Sequence, residues 1–368
     1  MKYYELETPS LLIDIDRVKK NLRDMQDYAD EHGCSLRPHT KTHKSPYMAK
    51  LAEEMGARGC AVAKTGEAEV MAANGMKDIF IANEIVSPEK LQKIRKLSET
   101  AEISFGLDSP EAVPVIDEVF KGAAKKAQVL IEIEIGEVRS GIIEPVQLNV
   151  LLDALKKSEN IYLKGFFGHD GNTYSAPSVE ACTEIAVKAQ ERLLSFVNMA
   201  RARGFESPVV SYGATPTFMN RVPILPGITE LRPGTYIYMD VSQGNAIGTL
   251  ERCAATVLTS VVSKPNGERV ILDVGAKGLT MQERTEGLCA SHGKGSWYDD
   301  PRVRISRMFD EHAIVNDASF NSRVKLGEKI RIIPVHICPV VNLYNSFYLI
   351  SGDEVLEEVP VLCRGQLW

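Results

Sequence analysis

From about residue 10 to residue 245, short apolar runs alternate with longer stretches in which apolar side chains recur every three or four positions. The short runs read as strands and the longer ones as amphipathic helices. Leu11-Leu12-Ile13-Asp14-Ile15 is the first expected strand, and Asp16 to His32 follows as a helix with Asp16 placed to cap it. Further strands are expected at Ser35 to His43, Gly59 to Ala63, Asp78 to Ala82, Glu102 to Leu107, Gln128 to Ile135, Tyr162 to Phe167, Val209 to Tyr212 and Thr229 to Arg232. Helical stretches between them include Met48 to Met55, Thr65 to Asn74, Ser109 to Val119, Glu144 to Lys157 and Ser178 to Arg203. Repeated βα units predict a parallel sheet, and about eight of them suit a closed (β/α)₈ TIM-type barrel better than an open sheet.

After about Asn245 the pattern changes. Residues 251–263, 268–274, 329–337, 341–350 and 355–363 read as strands with no long helix between them, and Asn266-Gly267 and Gly352-Asp353 are turn signals. The expectation is an α/β chain with a barrel over 10–245 and a mostly antiparallel β domain over 246–368.

With 44% hydrophobic and 25% charged residues the chain has an ordinary globular composition. Its net charge of −6, without any block of Lys or Arg, argues against nucleic acid as a partner. No apolar stretch approaches the roughly 20 residues of a membrane helix. The N-terminus lacks a secretory apolar core. The seven cysteines are scattered, with no CxxC pair, which suits reduced thiols and a cytoplasmic setting.

Five constellations carry candidate chemistry. In Leu36 to Lys44, strand alternation puts Arg37, His39, Lys41 and His43 on one face. A lysine among cations in a partly desolvated pocket has its charged form disfavoured, and a neutral amine is what an aldehyde needs. A solvated basic loop accounts for the same residues. Ser211 to Thr217 holds Gly213 and Thr215 after a short apolar strand, where backbone N–H groups and hydroxyls can cradle a phosphate; a plain loop is the alternative. His336-Ile337-Cys338 extends an apolar run, so that the His and Cys share a strand face and offer N and S to a zinc-like ion; a buried Cys beside a hydrogen-bonded His does as well. Gly136 to Gly141 places Arg139 beyond a barrel strand, where it can bond a pyridoxal phenolic oxygen or make a surface salt bridge. Gly168 to Tyr174 offers His169 as a general base, with a capping loop as the alternative. Most of these segments fall where the βα loops of one barrel converge.

These residues resemble the D-threonine aldolase and D-serine dehydratase family, pyridoxal 5'-phosphate (PLP) enzymes of the alanine-racemase-type fold. The resemblance is closest at Arg37 to Lys44 and recurs at Ala63 to Glu69, Ile81 to Glu84, Tyr212 to Thr217, Leu231 to Tyr236 and His336 to Asn342. It implies that residues 1–9 join the β domain and that the protein is a head-to-tail homodimer. It makes Lys41 the Schiff-base lysine, with Lys44 as rival. It sets Gly213 and Thr215 at the phosphate, His39, Tyr174 and Tyr236 near the cofactor, and Arg139 near the phenolic oxygen. It makes His336 and Cys338 ligands of a divalent metal (Zn, Mn or Mg). The Gly171-Asn172 pair departs from the Gly-His often found there, which bears on the role of His169. The implied activity is retro-aldol cleavage of D-3-hydroxy amino acids to glycine and an aldehyde. Dehydration of D-serine to pyruvate and ammonia is the close alternative, and amino-acid racemisation is third. A non-catalytic PLP carrier is expected to be a barrel alone.

Overall fold

A computed structural model describes all 368 residues, Met1–Trp368. Eight parallel strands form one sheet in the order Ser35–Leu36, Glu230–Leu231, Val209–Tyr212, Ile161–Gly168, Ala127–Glu132, Glu102–Leu107, Asp78–Glu84, Cys60–Val62. The two outer strands meet just beyond Leu36: His39 bridges Ala61 in parallel, and Ala61 N donates to Pro38 O at 2.9 Å. The sheet is thereby a TIM-like barrel with helices between successive strands. The longest helix, Val179–Ala202, starts where Ser178 Oγ accepts a hydrogen bond from Ala181 N.

The expected strand at Leu11 to Ile15 is not a barrel strand. Ser10–Asp14 pairs antiparallel with Ala255–Ser263 and parallel with Ser346–Ser351, inside a second, nine-stranded sheet. Its apolar run is buried on both sides, and such a run looks the same in either sheet. Asp14, rather than Asp16, caps the first helix, Ile15–Glu31: its carboxylate accepts from Asp16 N and Arg17 N, each at 3.1 Å. The second sheet is antiparallel apart from that one pairing. It also contains three short strands the apolar pattern did not mark, Gly295–Trp297, Arg307–Met308 and Ala313–Asn316. The extreme N-terminus lies along it, with Tyr3 N donating to Asp353 O and Val355 N to Met1 O, both at 2.9 Å. No helix is long and apolar enough to cross a membrane.

Candidate active site

A cavity of about 290 Å³ opens at the C-terminal ends of the barrel strands. Its lining brings together His39, Lys41, Arg139, His169, Tyr174 and Thr215 from the expected set, and adds Arg232, Glu84 and Glu132. The six expected side chains come from the loops after four separate strands, as the barrel's geometry demands.

The strand carrying the lysine ends early. The regular strand stops at Leu36, single ladder bonds run on to His39, and the chain turns at Thr40, whose N and Oγ1 both donate to Ala61 O, at 2.8 and 3.1 Å. Side-chain alternation lasts only as long as the strand does, so the expected single face of Arg37, His39, Lys41 and His43 is not formed. Arg37 is buried and points away from the cavity, its Nε donating to Glu230 at 2.7 Å and its terminal nitrogens to Asp78 at 3.0 and 3.1 Å. His43 is buried against Tyr238, and its Nδ1 accepts from Ser45 N at 3.1 Å. Only His39 and Lys41 reach the cavity.

Lys41 is solvent-accessible, but at the floor of a crevice walled by protein. That enclosure lowers its amine pKa, and the nearby charges of Arg139 and Arg232 lower it further. Lys44 is in a different state. It is buried with φ +49°, and its ammonium donates to Glu67 Oε1 at 2.6 Å. The other Glu67 oxygen accepts from Ala63 N at 2.7 Å and Lys64 N at 3.1 Å. Lys44 is thus a fixed, paired cation.

His169 Nδ1 lies 2.9 Å from Gly213 O, and a carbonyl accepts only, so Nδ1 carries the proton. Nε2 then keeps its lone pair, 3.7 Å from Glu137 Oε2. Burial holds both His39 and His169 well below the usual imidazole pKa, with the Lys41 charge adding to it. Arg139 is half-exposed and lies 3.6 Å from Glu132, which also accepts from Ser140 Oγ at 2.7 Å. Glu134 accepts from Gly136 N at 2.6 Å and Val138 N at 2.9 Å, so it shapes the Arg139 loop rather than pairing with cations.

Gly213 sits behind Thr215 with φ +132°, and a Cβ there would lie 2.0 Å from the Phe218 ring. Gly213→Ala should therefore combine backbone strain with overpacking, each costing about 1–3 kcal/mol. A thermal melt should show the loss, and a cofactor titration should show weaker binding. Thr217 Oγ1 and Tyr212 Oη donate to the fully buried Asp170, which ties this loop to the one bearing His169. Tyr236 is fully buried, and its hydroxyl has no partner.

His336 and Cys338 do not share a strand face. The strand Lys329–Pro334 ends before them, His336 caps the short helix Ile337–Val341, and Cys338 lies in its first turn. Pro339 cannot continue a ladder, which accounts for the change. The Cys338 thiol lies 3.2 Å from Thr42 Oγ1 and 3.5 Å from Thr235 Oγ1, so the turn abuts the Lys41 segment. His336 Nδ1 is buried without a partner. Asp240, fully buried, anchors the turn by accepting from Ile337 N at 3.0 Å, and burial pushes its carboxyl up to about 6.

The donor set fits PLP. One amine has its charged form disfavoured, two guanidiniums line the same cavity, a glycine-bearing loop lies beside it, and the buried Tyr236 hydroxyl lacks a partner. The pair at His336 and Cys338 fits an open metal site. No group of three His, Cys, Asp or Glu residues gathers around an ion-sized space, so water or substrate would complete the coordination.

Burial pushes His43 down to about 3. Below pH about 6.5 the unfolded imidazole binds a proton that the folded one refuses, so folding stability drops as the pH falls from there to about 3. The slope is about 1.4 kcal/mol per pH unit. His43→Asn should flatten the stability curve by about that slope between pH 4 and 6, as read by denaturant titrations at fixed pH.

Comparison with known proteins identifies the family. Residues 13–242 match the family model for the alanine racemase N-terminal domain, and residues 254–350 match that of a serine dehydratase domain. The D-threonine aldolase of an Arthrobacter species is 30% identical over 98% of this chain and 93% of its own. The D-serine dehydratase of Dictyostelium discoideum is 26% identical over 95% and 94%. The solved D-threo-3-hydroxyaspartate dehydratase from Delftia sp. HT23 superposes with a TM-score of 0.91 at 27% identity, covering 98% of each chain. An alanine-substituted variant of a dehydratase of that name is described as a metal-free form. The chain belongs to the D-threonine aldolase and D-serine dehydratase family of PLP-dependent lyases, which share the alanine-racemase-type fold.

Arg232 was legible only as part of a motif, yet it is the most enclosed cation in the cavity. It donates to Ser211 Oγ at 3.2 Å and Gly168 O at 2.9 Å and lies over the Phe80 and Phe167 rings. Glu84 was legible only as the end of the Ile81 to Glu84 motif, with no role assigned. Burial and its neighbour Glu132 push its carboxyl up to about 9.

Proposed function

We propose that this chain is a PLP- and divalent-metal-dependent lyase of D-3-hydroxy amino acids that breaks Cα–Cβ to release glycine and an aldehyde. The observation that carries the reading is the contact between Thr42 and Cys338: it joins the turn bearing Lys41 to the His336–Cys338 pair. Lys41 would hold the cofactor's aldehyde, Gly213 and Thr215 its phosphate, and His39, Tyr174, Tyr236 and Arg139 would lie near its ring. When bound, PLP supplies an electron sink conjugated to Cα. His336 and Cys338 would hold the metal, which when bound would acidify the substrate's β-hydroxyl.

The chain's own groups supply the proton steps. His169 Nε2, unprotonated, takes the β-hydroxyl proton. As the carbonyl forms at Cβ, the Cα–Cβ pair stays with Cα. Lys41, in its ammonium form, would return a proton to Cα, and the proton that His169 took up would restore that ammonium, so that the protons balance. The nitrogen and sulfur donors suit zinc best among the candidate ions.

D-Serine dehydration is the second reading. It uses the same groups, with the lowered Lys41 amine taking the Cα proton first. Product analysis with D-threonine and D-serine in the presence of added metal separates the two. Glycine with acetaldehyde supports the first reading, pyruvate with ammonia the second, and reaction with neither overturns both. Chelation should remove most of the activity and restored metal should return it. Full activity after chelation would favour the racemase reading.

A further inference from the structure

The imidazole of His169 and the carboxylate of Glu137 face each other as two empty acceptors. His169 Nδ1 gives its proton to Gly213 O at 2.9 Å, which leaves the ring a lone pair on Nε2. Glu137 Oε2 lies 3.7 Å from that nitrogen, is buried, and accepts from no donor. His169 lines the cavity and Glu137 does not, so the carboxylate reaches the site only through the ring.

The two loops are shaped around this contact. A Cβ on Gly171 would occupy the place of Glu137 Oε2, and a Cβ on Gly136 would lie 2.5 Å from Asn172 Nδ2. Each loop thus omits a side chain where the other reaches in. Gly171 has no left-handed φ, so the glycine answers to space rather than to backbone conformation.

The surrounding charges leave Glu137 a distinct part. Lys41, Arg232 and Arg139 all oppose a positive charge on the buried His169 ring. Glu137 is the one carboxylate within ion-pair reach of it. Around Glu137 itself, Arg139, Lys41 and Arg284 favour the bare carboxylate and Asp170 opposes it; burial outweighs the three cations and holds the carboxyl above its usual pKa. Two buried acceptors turned toward each other bind a proton between them more tightly than either does alone.

We propose that Glu137 is a positioning residue for the proton step: when His169 Nε2 takes the β-hydroxyl proton, the Glu137 carboxylate accepts the new N–H and pairs the imidazolium charge. This rests on the lyase reading above. A closing of about half an ångström turns the 3.7 Å approach into a charge-assisted hydrogen bond. The proton leaves the hydroxyl oxygen, stays on Nε2 with Glu137 as its acceptor, and then restores the Lys41 ammonium, so none is gained or lost.

The test is a double-mutant cycle on the holoenzyme with D-threonine and added metal, using Glu137→Gln, His169→Gln and the two combined. Glu137→Gln should lower kcat/KM about tenfold or more. It should also move the acid limb of the pH profile down by at least about one unit, because the group that favours the imidazolium is gone. In the His169→Gln background the same change should cost less than about twofold. An unmoved acid limb, equal losses in both backgrounds, or no loss at all would overturn the proposal. Nitrogen NMR of the ¹⁵N-histidine-labelled holoenzyme reads the pair without turnover. The His169 Nε2 signal, identified by its loss in His169→Gln, should gain its proton at a pH at least about one unit higher in the wild type than in Glu137→Gln. A shared midpoint, or no uptake in either down to the acid limit of the folded state, overturns the proposal. That difference without cleavage of D-threonine would keep the pair and sink the lyase reading alone.

Discussion

Lys41→Ala should reduce lyase activity by about 10³-fold or more and abolish the near-visible absorption band of the bound cofactor. The amine is the one lysine nitrogen that opens into the cavity, and its surroundings disfavour the charged form. Removing it takes away a charge that the arginines already oppose, so the variant should melt no lower than the metal-free, cofactor-free wild type. A folded, colourless, inactive protein is therefore the expected result. Lys44→Ala provides the contrast: its ammonium is committed to Glu67, so that variant should lose stability and keep the band.

The largest stability effect is expected at Glu67→Ala. Glu67 is 1% exposed and receives three hydrogen bonds, from Lys44 Nζ, Ala63 N and Lys64 N. Truncation strands the buried Lys44 ammonium and removes the acceptor from the first turn of the helix Thr65–Ala73. Breaking one side of a buried pair costs about 3–5 kcal/mol, a large part of the roughly 5–15 kcal/mol that holds a domain folded. Chemical denaturation should show that loss. The double variant Lys44→Met/Glu67→Leu should recover part of it, since an apolar pair leaves no stranded charge. A single-variant loss below about 1 kcal/mol would mean that water reaches the pair.

The barrel was legible because its strands are apolar runs separated by helical periodicity, and Val209–Tyr212 and Glu102–Leu107 fall where that pattern sets them. Sheet membership was not legible. Ser10–Asp14 is as apolar as a barrel strand, and only its partners at Leu258 and Tyr348 reveal the second sheet. At the site, the residues lining the cavity were found where a motif marks a strand end, as with His39, Lys41, His169 and Thr215. Reasoning from alternation failed for His43 and for the His336–Cys338 pair. In both places the backbone leaves the ladder, once at Thr40 and once after Pro334. Asp240 could not have been found from spacing: it acts across 97 residues, accepting from Ile337 N, and belongs to no local pattern.

The central claim is that the cofactor is carried on Lys41. Borohydride reduction of the holoenzyme fixes the cofactor to the amine that holds it, and peptide mapping by tandem mass spectrometry then identifies the residue. The mark is expected on Lys41, with Lys44 unmodified. A mark on Lys44, or on no lysine of the segment Leu36 to Lys44, would contradict the account.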